Sequence, residues 1–206
     1  MKNNTLLSEP LGFPRISEAV TLVSGLPRSG TSMMMRMLAA GGMPIVTDNI
    51  RRADEDNPGG YFELEKVKQL ENGDGWLGRE TGKAIKVIAT LLPMLPKNVF
   101  YYVIFMQRHM KEILASQRKM LERRGTAAEA DVPDDIMAAK YEQYLRTTYH
   151  WLGRQRHFHV LYIHYNELLQ DPVGRAETVN AFLNNSLDVE KMVGVVEPAL
   201  YRQRRG

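Results

Sequence analysis

The run Thr21-Leu22-Val23-Ser24-Gly25-Leu26-Pro27-Arg28-Ser29-Gly30-Thr31-Ser32 constrains this chain more than any other part of it. An apolar, β-branched segment breaks at a glycine-containing turn and resumes as a helical run rich in methionine, so it reads strand, turn, helix. A helix start presents unpaired amides and partial positive charge, which makes such a turn a cradle for an anion. Gly25 and Gly30 let the backbone wrap closely around a phosphate, with amides from about Ser29 to Ser32 pointing inward. Thr31 and Ser32 add hydroxyl donors, and Arg28 adds a cation that grips two oxygens at once.

The rest of the chain supplies the frame for that turn. Four apolar or aromatic runs read as buried strands: Val20–Ser24, Ala84–Ala89, Val99–Met106 and Val160–His164. Helical periodicity lies between them, at Thr31–Ala40, at Met110, Ile113, Leu114, Gln117 and Leu121 on one face, at Asp134–Gln155 and at Pro172–Leu183. Strands apolar on both faces that alternate with helices predict an α/β three-layer domain around a central, mainly parallel sheet, with a P-loop-like strand-turn-helix. Polar connections at Pro44–Gly60, Asn72–Gly82 and Gly125–Asp135 read as binding loops or lids, or else as solvated links. The four methionines at 33, 34, 35 and 37 read as core packing behind the cradle. At 206 residues the chain reads as a single domain over 1–206, with an N-terminal extension at 1–17 and a basic tail at 195–206.

Charge and composition narrow the function classes. With 27 Lys+Arg against 24 Asp+Glu the formal charge is +3, a bias suited to an anionic small molecule. The basic residues do not cluster with interleaved aromatics, so no nucleic-acid partner is expected. The absence of cysteine removes thiolate nucleophiles and Cys-ligated zinc. The five histidines, 109, 150, 157, 159 and 164, show no metal-ligand spacing, so no metal is expected. No apolar run approaches the roughly 18 residues of a membrane span, and the first residues lack a signal-peptide core; a cytoplasmic protein is the expectation. Oligomeric state is not legible.

The cradle departs from the nucleotide-hydrolase pattern G-x-x-x-x-G-K-[ST] at one telling place. Gly25, Gly30 and Ser32 fit, but Thr31 stands where the lysine contacts the β- and γ-phosphates. A basic residue moved into the turn, as Pro27-Arg28-Ser29-Gly30-Thr31-Ser32, resembles the 5′-phosphosulfate loop P-[KR]-S-G-T-[ST] of the sulfotransferase family and matches it at every position. That family holds the 3′-phosphate of its donor, 3′-phosphoadenosine 5′-phosphosulfate (PAPS), with an Arg at a strand end and a Ser eight residues later. Here Arg108 follows the third strand and Ser116 lies in the next helix. His109-Met110 replaces the Asp-Pro or Asn-Pro often found after that Arg. Two further segments are similar to family stretches: Tyr162–Pro172, with a role there that is mostly structural, and Asp56-Asn57-Pro58-Gly59-Gly60-Tyr61-Phe62-Glu63.

The resemblance implies PAPS as donor, adenosine 3′,5′-bisphosphate as product, and transfer of a sulfuryl group to a hydroxyl or amine of a small-molecule or glycan acceptor. It implies that Pro27, Arg28, Ser29, Gly30, Thr31, Ser32, Arg108 and Ser116 bind the donor, and that Arg202 or Arg204 of the basic tail helps at the 3′-phosphate, unless the tail is a solvated terminus. Sulfuryl transfer is an in-line displacement in which positioning and charge stabilisation do most of the catalysis. Arg28, helped by Thr31, is expected to face the oxygen that bridges phosphate and sulfate. Many members take the acceptor proton with a His in a Lys-Thr-His-Leu-Pro-like stretch. In Ile88-Ala89-Thr90-Leu91-Leu92-Pro93, Leu91 stands in the His slot and Ala89 in the Lys slot. Glu63 is the base candidate instead, since the apolar residues before it would partly desolvate it. Lys86, alone in an apolar strand, faces either the crevice or water, and the crevice reading makes it a third catalytic candidate. Two alternatives stand beside this one: a P-loop kinase of similar fold, and a non-catalytic adenosine-nucleotide-binding protein that kept the cradle and lost the base.

Overall fold

The computed structural model describes residues 13–48, 50, 60–72, 75–123, 125 and 132–196. Four parallel strands form one sheet in the order β2-β1-β3-β4, with β1 Val20–Gly25, β2 Ala84–Lys86, β3 Tyr101–Gln107 and β4 Phe158–His164. Among the described residues six α-helices accompany it: α1 Thr31–Ala40, α2 Met110–Arg123, α3 Asp134–Leu152, α4 Tyr165–Gln170, α5 Pro172–Phe182 and α6 Val189–Gly194. The expected three-layer α/β architecture is the one observed.

The register explains why the central strands had to be apolar on both faces. Val20 through Gly25 of β1 pair with Tyr101 through Met106 of β3, and Tyr101 through Gln107 pair with Phe158 through His164. Successive β1 residues then feed different cores. Val23 joins Met33, Met34, Met35 and Met37 of α1 with Leu168, Val179 and Phe182 on one face. Val20 and Leu22 join Trp76, Leu77, Leu92, Val103, Phe105 and Leu152 on the other. The four methionines are therefore core, as their pattern predicts.

Several boundaries differ from the sequence expectation, each for a local reason. β2 stops at Lys86, short of Ala89, because Val87 makes the last bond to β1 and a 3-10 turn over Ala89–Met94 follows, with Pro93 inside it. β4 begins two residues early, at Phe158, since Phe158 stacks on Tyr101 and buried His159 packs against Tyr102 and Phe182. Two short helices were not legible. α4 starts directly at the end of β4, and α6 is capped by the Asp188 carboxylate, which accepts from Lys191 N. At the start of the described chain, Phe13 packs edge-on against Phe100 and Tyr102, and Tyr102 OH donates to Pro14 O. Among the described residues, no helix is long and apolar enough to cross a membrane.

Candidate active site

β1 and β3 run in register to the same edge, and the chain leaves β1 into the glycine turn there. Gly25 has φ 145° and passes so close to β3 that a Cβ would lie 2.6 Å from Met106 O. The turn then closes on itself, with Ser29 Oγ and Ser29 N both donating to Leu26 O, at 2.7 and 3.2 Å. Arg28 takes a left-handed backbone, φ 70°, which is uncommon for a residue with a side chain. Gly30, φ 102°, stands at the N-terminus of α1 over the Tyr165 ring. A Cβ there would sit 2.4 Å from a ring carbon, so only glycine fits. The first amides of α1 have no partner within the helix and, with the Thr31 and Ser32 hydroxyls, make this corner a donor-rich one.

The two motif elements that lie far apart in sequence meet at Arg28. Its Nε donates to Ser116 Oγ at 2.9 Å, and Arg108 Nη1 donates to its carbonyl oxygen at 3.0 Å. Arg108 leaves the end of β3 as expected, but it does not lie open to the crevice. Its side chain is 8% exposed, its Nε donates to Glu112 Oε2 at 3.0 Å, and its guanidinium lies 4.5 Å from the Tyr165 ring centre. Asn166 Nδ2 donates to the same carboxylate, at 3.0 and 3.1 Å from its two oxygens. Burial, with the Glu112 carboxylate, holds the Tyr165 phenol above its usual range against the opposing pull of Arg108, Arg36 and Arg28. Glu112, Asn166 and Tyr165 were missed by sequence reasoning. The i,i+4 spacing of Arg108 and Glu112 was the visible signal for Glu112, and Tyr165 and Asn166 lie inside the Tyr162–Pro172 stretch that resembles a family segment.

On the other flank, Lys86 resolves the choice left open by its lone position in β2. Its amine donates to Tyr61 O at 2.8 Å and to Ser32 Oγ at 3.3 Å, so it faces the cradle. Glu63 lies 4.0 Å from the same amine, with 31% of its side chain exposed against 10% for Lys86. The apolar residues before Glu63 thus leave it beside a cation with an edge in water, not enclosed. Its backbone is well fixed. Thr47 Oγ1 and Asp48 N donate to Glu63 O, and the Asp48 carboxylate accepts from Glu65 N and Ile50 N. Those two N–H groups hold the Asp48 carboxyl below its usual range.

Other sequence candidates lie elsewhere. Leu91 sits in the 3-10 turn after β2, partly buried against the Leu22 core. His109 packs on His164, with ring centres 4.8 Å apart. Arg202 and the Asp56–Gly59 part of the Asn-Pro-x-Gly segment lie outside the described residues. Taken together, the described edge carries three cations and a ring of hydroxyl and amide donors around one turn, with both nearby carboxylates facing a cation. That donor set suits an anion with more than one charged end.

Comparison with known proteins identifies the family. The family model described as "Sulfotransferase domain" matches residues 19–206. Similar solved structures include the sulfotransferase domain of the curacin biosynthetic pathway, at 18% identity and TM-score 0.44, covering 94% of this chain and 80% of that one. A mouse sulfotransferase complexed with PAP shares 19% identity at TM-score 0.48, over 89% of this chain and 64% of its own. The sulfotransferase domain of an olefin synthase from Synechococcus PCC 7002 shares 15% identity at TM-score 0.48, over 93% and 90%. No curated protein matches the sequence significantly. With residues 19–206 accounted for by one family model, the chain belongs to the sulfotransferase domain family.

Proposed function

We propose that this protein transfers a sulfuryl group from PAPS to a hydroxyl or amine of a small-molecule or glycan acceptor, within a single domain spanning 1–206. The observation that carries the reading is the meeting of Ser116 and Arg108 on Arg28, 88 and 80 positions away in sequence. A lysine-free anion turn and an Arg/Ser pair are useful together only to a ligand with two anionic ends.

The bound donor supplies a sulfur centre whose bond to the 5′-phosphate oxygen breaks as the acceptor oxygen or nitrogen attacks. The chain's own residues do the remaining work. The turn at Pro27–Ser32 holds the 5′-end through α1 amides and the Thr31 and Ser32 hydroxyls. Arg108 and Ser116 hold the 3′-phosphate. Arg28 and Lys86 stabilise the charge that collects on the departing phosphate oxygen. Glu63 takes the acceptor's proton, with the Lys86 ammonium 4.0 Å away balancing its charge before transfer.

A panel of ligands in a thermal-shift assay separates this reading from its rivals. Adenosine 3′,5′-bisphosphate is expected to raise the melting temperature, and ATP with magnesium is not. Saturation at about 100 times Kd corresponds to roughly 2.7 kcal/mol, a shift of several degrees for a domain of this size. Equal stabilisation by both ligands points to kinase-type binding and sinks the donor assignment. Binding without detectable sulfate transfer to any generic acceptor favours the non-catalytic alternative.

A further inference from the structure

Glu112 was singled out by none of the sequence motifs, yet its side chain is only 3% exposed. A charged carboxylate is withdrawn from water this far only where its oxygens are met. Arg108 Nε meets Oε2 at 3.0 Å, and Asn166 Nδ2 lies 3.0 Å from Oε1 and 3.1 Å from Oε2. With Nε turned to α2 and the guanidinium face on Tyr165, Arg108 keeps one orientation, and that orientation carries Nη1 to the Arg28 carbonyl.

Arg28 is the left-handed, non-glycine residue of the turn. Its side chain is tied to Ser116, which lies one helical turn beyond Glu112 on the same face of α2. α2 therefore grips both ends of one residue: the guanidinium directly through Ser116, and the carbonyl through Glu112 and Arg108. A turn residue in a sparsely populated conformation persists only when its surroundings over-determine it, and these two grips do so.

We propose that Glu112 is the positioning residue of the donor site. Without contacting the ligand, it sets the orientation of Arg108 and, through it, the backbone of the anion turn at Arg28. Asn166 supports the carboxylate from α4. The proposal rests on the donor reading given above and deepens it by adding a residue that acts through another.

A double-mutant cycle on the full chain, read by calorimetric titration with adenosine 3′,5′-bisphosphate, tests it. Glu112→Ala is expected to weaken binding about tenfold in the otherwise unchanged protein. In an Arg108→Ala background the same change brings no further loss, because the arginine it positions is gone. Equal losses in both backgrounds show a general structural role and overturn the proposal, as does unchanged affinity in the single variant. Should Glu112→Ala not fold, Glu112→Gln takes its place in the cycle. Its amide oxygen still accepts from Arg108, so the expected loss falls to about threefold, again only where Arg108 is present. If the unsubstituted protein does not bind the bisphosphate, the donor reading itself fails and the proposal with it. That result is distinct from binding that Glu112 does not influence.

Discussion

Arg28→Ala is expected to lower the rate of sulfuryl transfer by about two to three orders of magnitude, the usual loss when a donor aimed at developing charge is removed. The size of the effect follows from the three jobs that converge on this residue. Its guanidinium is the cation nearest the middle of the turn, its Nε bonds Ser116, and its carbonyl anchors Arg108. Alanine removes the first two and keeps the third, so the fold should survive. Unliganded melting temperature is the control, and it should move little, because alanine takes over the left-handed backbone that Arg28 already holds. Arg28→Lys keeps the charge and loses the planar fork, with an expected loss of about tenfold. Turnover within threefold of the unsubstituted enzyme in Arg28→Ala would remove this residue from the chemistry.

The second large effect is expected at the opposite flank. Lys86→Met should lower kcat by about 100-fold while leaving the sheet intact, since Lys86 is the last residue of β2. Glu63→Gln should lower kcat by roughly 100- to 1,000-fold, within the range for losing a general base. A Glu63→Gln enzyme with turnover within threefold of the unsubstituted one would mean that another group accepts the proton.

How well the sequence foretold these positions depended on whether the cause was local. The strand-turn-helix at 20–40 follows from residues adjacent in the chain, and α1 falls on Thr31–Ala40 as its periodicity predicts. Arg108 and Ser116 could be paired with the turn because they belong to a spaced pattern, and the sheet register brings β3 to β1 where that pattern requires. Lys86 was ambiguous for a physical reason. A lone cation in a short edge strand has two faces to choose from, and the choice was made by Tyr61 O and Ser32 Oγ, distant in sequence. Glu112 and Asn166 were invisible individually, because a helical glutamate and a post-strand asparagine are ordinary until tertiary packing shuts water away from both. β2 was overextended because the apolar run Val87-Ile88-Ala89 reads as strand, whereas exposed Ile88 precedes a 3-10 turn that opens at buried Ala89.

One complex decides the central claim, that a single nucleotide with two anionic ends spans the turn and the α2 grip. A crystal structure of the protein with adenosine 3′,5′-bisphosphate is expected to place the 5′-phosphate within hydrogen-bond reach of the Gly30–Ser32 amides. The 3′-phosphate should lie within reach of Ser116 Oγ and the Arg108 guanidinium. A nucleotide bound with its ends reversed, or seated away from the edge shared by β1 and β3, would contradict the account.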